Sequence, residues 1–213
     1  MHDTALMSGN LFGETYGSKD MIVLDIGGQN VNGSLRSFFE NKGMKYICLD
    51  ICKHESVDIV IKPGEKLPFK DGYVDLIVST SCFEHDPCFW ITFKEMCRIT
   101  KVDGYIYVNA PSNGQYHCYP GDNWRFYSDA GQALAYWSTN QIANETIFPV
   151  IVEETFHIYP KADQWIDFVC VWKRVLESTD SNIVVSEEIR NRKGPLKTAL
   201  LKNNFNVQNN LLT

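Results

Sequence analysis

The sequence predicts an α/β fold, a mostly parallel sheet with helices on both faces. Three observations carry that prediction. The stretch MIVLDIGGQNVNGSLR, residues 21–36, reads as a buried strand, a glycine turn and the start of a helix. Short β-branched runs then alternate with helical patterns up to residue 110, the order expected of βαβ units. At 213 residues and 44% hydrophobic content, the chain can bury a single sizeable core without disulfide staples.

Residues 1–20 are polar and glycine-bearing, with Phe12 and Tyr16 as their only aromatics. They read as a frayed start or a flap over the site. Residues 21–26 form the first strand. A helix follows over 34–42, closed by Gly43. Residues 45–49 form a second strand ending in Asp50, and the β-branched run 57–61 forms a third, broken by Pro63 and Gly64. Asp71-Gly72 is a turn into a fourth strand, 73–80. Pro87 suits the first turn of a helix reaching about Ile99. A turn at Asp103-Gly104 leads to a fifth strand, 105–110. Ser128 is placed to cap a helix over 129–137. Two later strands are expected near 151–156 and 166–172. The domain is expected to span 1–176, and 177–213 to form a polar, asparagine-rich tail with short helical segments. The charged run 186–193 reads as a solvated helix face.

The net charge of −6 argues against a broad phosphate-binding face, so a nucleic-acid partner is not expected. No apolar run is long enough to span a membrane and no signal peptide is visible. The seven cysteines are odd in number and lack paired zinc-ligand spacing. They fit reduced thiols and a cytoplasmic location. The oligomeric state is not encoded in any recognisable pattern.

In parallel sheets ligands bind beyond the carboxyl ends of the strands. A dinucleotide would need GxGxxG, and Gly27, Gly28 and Gly33 fail that spacing. Asp25 would also sit near the pyrophosphate, where negative charge is unfavourable. S-adenosylmethionine has no phosphate and carries an ammonium and a sulfonium, so carboxylates beside it are tolerated. Asp50, ending the second strand, can accept both ribose hydroxyls.

VLDIGGQNVNG, YICLD, KLPFKDGYVDLIVS and the turn KVDGY, in that order, resemble the class I S-adenosylmethionine-dependent methyltransferases over roughly residues 20–175. The resemblance implies a Rossmann-like seven-stranded sheet whose last strand is antiparallel. It implies a cofactor-binding set of Asp25, Gly27, Gly28, Gln29, Gly33, Asp50, Ile51, Glu65, Lys66, Leu67 and Thr80, with residues 65–67 near the adenine. The insert 29–32 and Asp103 depart from the family's glycine pattern.

Two segments supply the chemistry: SCFEHDP, 81–87, after the fourth strand, and PSNGQYHCYPGDNWRFYSD, 111–129, after the fifth. The second is long for a strand–helix loop. His117 and His85 are candidate bases, with Asp122 to orient one of them. Tyr116, Trp124 and Arg125 are candidate acceptor contacts. Phe126 is expected to anchor the loop, and Trp90, Trp137, Trp165 and Trp172 to sit in the core. Glu84-His85 resembles the ExxEH motif of metal-using O-methyltransferases. That similarity implies Glu84, His85 and His117 as ligands for Mg²⁺ or Mn²⁺. Ser81 stands where a further glutamate would be, a gap Asp122 could fill. The plainer reading, and the preferred one, is that Glu84 and His85 fix a helix start without metal.

The HxYPxDxWRF segment resembles methyltransferases of glycan assembly, including sugar O-methyltransferases of large algal DNA viruses. It implies a carbohydrate acceptor, with a rhamnose-type hydroxyl as a plausible target, and a host-cytoplasmic location if the source is viral. The alternatives are an aromatic, quinone or RNA 2′-hydroxyl acceptor, or an S-adenosylmethionine-binding protein without activity.

Overall fold

Val23, Leu24 and Ile26 are buried and form the centre of a sheet because their strand is covered on both faces. The computed structural model describes residues 3–139, 146–160, 165–177 and 192–209. In chain order the elements are α1 (Asp3–Tyr16), β1 (Ile22–Ile26), α2 (Arg36–Asn41), β2 (Lys45–Asp50), β3 (Ile59–Val60), β4 (Val74–Thr80), α3 (Phe89–Ile99), β5 (Thr100–Pro111), α4 (Ala130–Thr139), β6 (Val150–Tyr159), β7 (Asp167–Arg174), α5 (Pro195–Lys202) and β8 (Asn206–Gln208). The sheet order is β3-β2-β1-β4-β5-β7-β6-β8. The pairings among β1 to β5 are parallel. β7 is antiparallel to β5, and β6 to β7.

Two cores flank the sheet. One packs Phe93 and Met96 of α3 and Leu134 of α4 against Leu24, Ile77 and Trp172. The other packs Phe12, Phe39, Leu196 and Leu200 from α1, α2 and α5 against Val23, Val78 and Phe156.

Three differences from the sequence reading have physical causes. The start is neither frayed nor a flap: α1 is a packed helix, with Phe12 fully buried and stacked on Tyr107. The sheet has eight strands rather than seven, because β8 pairs antiparallel with β6. The fifth strand begins at Thr100 rather than Tyr105, directly after α3. The Ser128 hydroxyl donates to the Asn209 carbonyl at 3.0 Å, tying the start of α4 to the chain's C-terminal strand. Most of the run 186–193 lies outside the described residues. Among those residues no helix is long and apolar enough to cross a membrane.

Candidate active site

A cavity of about 890 Å³ opens at the carboxyl edge of the parallel strands. Its two ends come from different strand-following loops.

One end is the glycine turn after β1. Gly27 has φ +76°, and a Cβ there would lie 2.3 Å from Cys82 Sγ. Only glycine lets the backbone take this turn and leave Cys82 in place. Behind the turn, a Cβ on Gly28 would lie 2.4 Å from Asp25 Oδ2. Asp25 is fully buried and accepts a hydrogen bond from the Tyr46 hydroxyl. Burial pushes its carboxyl up to about 7, because an ionised carboxylate loses its hydration there. Asp25 therefore supports the turn from behind and does not line the cavity.

Asp50 ends β2 at the cavity wall. Its Oδ2 accepts from Gln29 N at 3.1 Å and its Oδ1 from Cys52 N at 3.0 Å. Each oxygen keeps a lone pair for a further donor. Gly27, Gln29, Asp50, Ile51, Glu65, Leu67 and Thr80 line this part of the cavity. Asp25, Gly28, Gly33 and Lys66 do not form its wall. The Thr80 hydroxyl is buried without a partner in the protein, as expected of a group that meets a ligand. The open carboxylate sites and this unpaired hydroxyl fit S-adenosylmethionine.

The other end carries titratable groups. His85 Nδ1 faces the Gly121 carbonyl, so it holds the proton and Nε2 holds the lone pair. Nε2 lies 3.6 Å from Glu84 Oε1. Burial lowers the His85 pKa and raises that of Glu84 to about 8. Glu84 Oε2 is buried without a partner. His117 Nδ1 lies 3.3 Å from Asp122 Oδ2 and 3.4 Å from the Gln115 carbonyl. Both neighbours are acceptors, so Nδ1 carries the proton and Nε2 is the basic nitrogen. The two imidazoles meet edge-on with centroids 4.9 Å apart. Ligand atoms of Glu84, His85 and His117 lie within 4.8 Å of one another, so the structure brings this trio together.

Asp122 organises the second loop. It accepts from His117 N at 2.8 Å and from both terminal nitrogens of Arg125 at 2.5 and 2.7 Å. The Arg125 guanidinium beside it holds its carboxyl down at about 2. With its oxygens so engaged, Asp122 orients His117 and does not fill the gap left by Ser81.

The expected acceptor contacts lie elsewhere. Arg125 is engaged by Asp122 and by the Gln115 and Trp124 carbonyls. The Trp124 indole donates to the Asp86 carbonyl at 2.9 Å and packs on Phe89 and Trp90. Tyr116 is 74% exposed. None of the three lines the cavity. Phe126 is buried against Phe83, Phe89 and Phe168, anchoring the loop, and Trp172 is fully buried. Trp165 is not a core residue: it lines the cavity beside His117. Sequence reasoning missed it because it precedes a strand. The signal was the direction of β7, which runs antiparallel to β5 so that its start falls at the ligand-binding edge.

Residues 24–108 match the methyltransferase domain family. That stretch is similar to methyltransferase domains. The match covers the glycine turn, Asp50 and the Glu84-His85 segment, and ends before the loop bearing His117. An uncharacterised methyltransferase of Mycobacterium leprae is 30% identical over 120 residues, 50% of this chain and 44% of that protein. One from Mycobacterium tuberculosis is also 30% identical over 120 residues, covering 50% of this chain and 46% of its own length. The matched stretch thus spans under half the length of these curated relatives. Among solved structures, the Burkholderia thailandensis 1,6-didemethyltoxoflavin-N1-methyltransferase, bound to 1,6-didemethyltoxoflavin and S-adenosylhomocysteine, superposes with a TM-score of 0.60. It is 12% identical, with 80% of this chain and 78% of that one covered. A SAM-dependent methyltransferase from Aquifex aeolicus gives a TM-score of 0.52 at 14% identity, with 79% and 89% covered. The fold is the mixed α/β Rossmann-like methyltransferase fold, with antiparallel C-terminal strands.

Proposed function

We propose that the protein is an S-adenosylmethionine-dependent O-methyltransferase whose acceptor is a sugar hydroxyl. The observation that carries this reading is the shared cavity. A glycine turn with Asp50 lines one part of it, and the oriented base His117 lines another.

Bound S-adenosylmethionine supplies a methyl carbon activated by its sulfonium. The protein's own work is to align the acceptor and exclude water. Asp50 receives the ribose hydroxyls, Thr80 meets the cofactor through its unpaired hydroxyl, and Glu65 and Leu67 border the adenine. An alcohol is a weak nucleophile, so His117 Nε2 would take its proton as the oxygen attacks; the sulfonium–carbon bond would break in the same step and S-adenosylhomocysteine would leave. Asp122 holds the tautomer that leaves Nε2 basic. His85, with its Nε2 lone pair beside Glu84, is the second base in reach. The polar groups around these imidazoles, among them Glu84 Oε2, suit an acceptor with several hydroxyls.

A second reading follows from the convergence of Glu84, His85 and His117. Hard oxygen and imidazole donors together suit Mg²⁺ or Mn²⁺. A cation held there would supply Lewis acidity toward the hydroxyl, in place of imidazole as base. Mass spectrometry of a sugar panel incubated with protein and cofactor tests both. Gain of one methyl on a glycan supports the sugar reading, and transfer only to aromatic or RNA acceptors overturns it. Turnover unaffected by EDTA assigns the proton to an imidazole, His117 or His85, whereas loss with EDTA and recovery with Mg²⁺ or Mn²⁺ assigns activation to a cation.

A further inference from the structure

Trp165 sits where the strand pattern alone would not put a large aromatic. β7 runs antiparallel to β5, with Asp167 opposite Pro111, so the residues just before β7 arrive at the cavity edge. Ile166 N donates to Asn113 Oδ1 at 2.7 Å, and Ser112 N to the Ile166 carbonyl at 2.8 Å. These bonds stitch the Trp165 backbone to the loop that carries His117. The indole lies against Gly114, which has φ +105° and where a Cβ would come 2.0 Å from the ring. The His117 ring meets it edge-on at 4.9 Å, and the Arg125 guanidinium stands over it at 5.7 Å.

Asp122 links these contacts. It holds the Arg125 guanidinium that covers the indole, and it holds the His117 backbone and ring. The platform and the base are thus fixed by one carboxylate. Trp165 is partly buried and lines the cavity together with His117. A rigid aromatic next to a base suits a ring that offers an apolar face and a hydroxyl at once. The unpaired Glu84 Oε2 favours a ring bearing hydroxyls, since it would otherwise be buried without a partner.

We propose that Trp165 is the specificity-determining platform for the acceptor, stacking on the C–H face of a pyranose while one hydroxyl reaches His117 Nε2. The inference rests on the sugar O-methyltransferase reading and names the residue that selects the ring. The test is steady-state kinetics of wild type, Trp165→Ala and Trp165→Phe. Methyl α-L-rhamnopyranoside, methyl α-D-mannopyranoside and catechol serve as acceptors, with S-adenosylhomocysteine affinity measured alongside. Trp165→Ala is expected to raise the pyranoside KM by about tenfold or more, with S-adenosylhomocysteine affinity unchanged and Trp165→Phe recovering part of the loss. If Trp165→Ala loses S-adenosylhomocysteine binding, Trp165→Phe carries the test: a raised pyranoside KM supports the platform and an unchanged one overturns it. An unchanged KM in Trp165→Ala, with wild type active on a pyranoside, overturns the platform and leaves the sugar reading standing. A wild-type protein that methylates neither pyranoside, whether or not it accepts catechol, overturns both.

Discussion

His117 and Asp25 show how much a single side chain's surroundings decide. His117 has acceptors on both sides of Nδ1, so its useful nitrogen is set by geometry. His117→Ala is expected to lower kcat by about 10²–10⁴-fold, leaving S-adenosylhomocysteine affinity intact, as read by single-turnover kinetics and calorimetry. Asp25 behaves oppositely, as a carboxyl that burial keeps protonated. Its folded pKa is raised to about 7 from the ordinary aspartate value of about 4, so the folded state binds its proton more tightly than the unfolded chain. The resulting stability is fully present below pH 4. It is lost as the pH rises from about 4 through 7, leaving a cost of a few kcal/mol above that. Asp25→Asn should match wild type in thermal stability at pH 4 and exceed it at pH 8 in the ligand-free protein. Equal melting temperatures at pH 8 would contradict this account of Asp25. The sequence marks Asp25 as near the cofactor, but not that it stands behind the turn, because burial depends on Tyr46 from a neighbouring strand.

At the scale of elements, Glu154 on β6 holds two helices. Its Oε1 accepts from Tyr16 at the end of α1 at 2.5 Å and from Leu196 N at 2.9 Å, and its Oε2 accepts from Lys197 N at 2.9 Å. A carboxylate at the first turn of α5 pairs with amides that have no partner within the helix. Glu154→Ala strands these donors and is expected to cost about 3 kcal/mol, measured by urea unfolding. Tyr16→Phe should cost less, because the two amide bonds remain. β1, β2 and β4 were legible because each is local in sequence and largely buried on both faces, and β3 and the later part of β5 were legible from their β-branched and apolar runs. α1 and β8 were not. Mixed polar stretches carry weak periodicity, and β8 forms only because the open edge of β6 is there to pair with. The same non-locality hid Trp165, whose role follows from the direction of β7 rather than from any neighbouring residue.

For the whole molecule, the C-terminal segment closes the sheet and one of its cores. Leu196 and Leu200 are fully buried, and removing them uncovers Phe156 and Ile158 together with the β6 edge. A chain ending at Glu177 should melt lower by roughly 10 °C, given about 2 kcal/mol for each buried leucine, and should aggregate through its exposed strand. A truncated chain that melts with the 213-residue chain would show that α5 and β8 add nothing to the domain. Gly27, Gln29, Asp50 and Thr80, expected from the sequence at one site, do line one end of the cavity, since they follow successive strands. The other end was legible only as a loop rich in polar and aromatic side chains; which of them face the cavity is decided by Asp122, Gly114 and β7 together. The central prediction is that the cavity holds S-adenosylmethionine through Asp50. Calorimetric titration with S-adenosylhomocysteine measures that directly. One-site binding by the wild type, weakened about 10–100-fold in Asp50→Ala, is the predicted result, and absence of binding by the wild-type protein would contradict it.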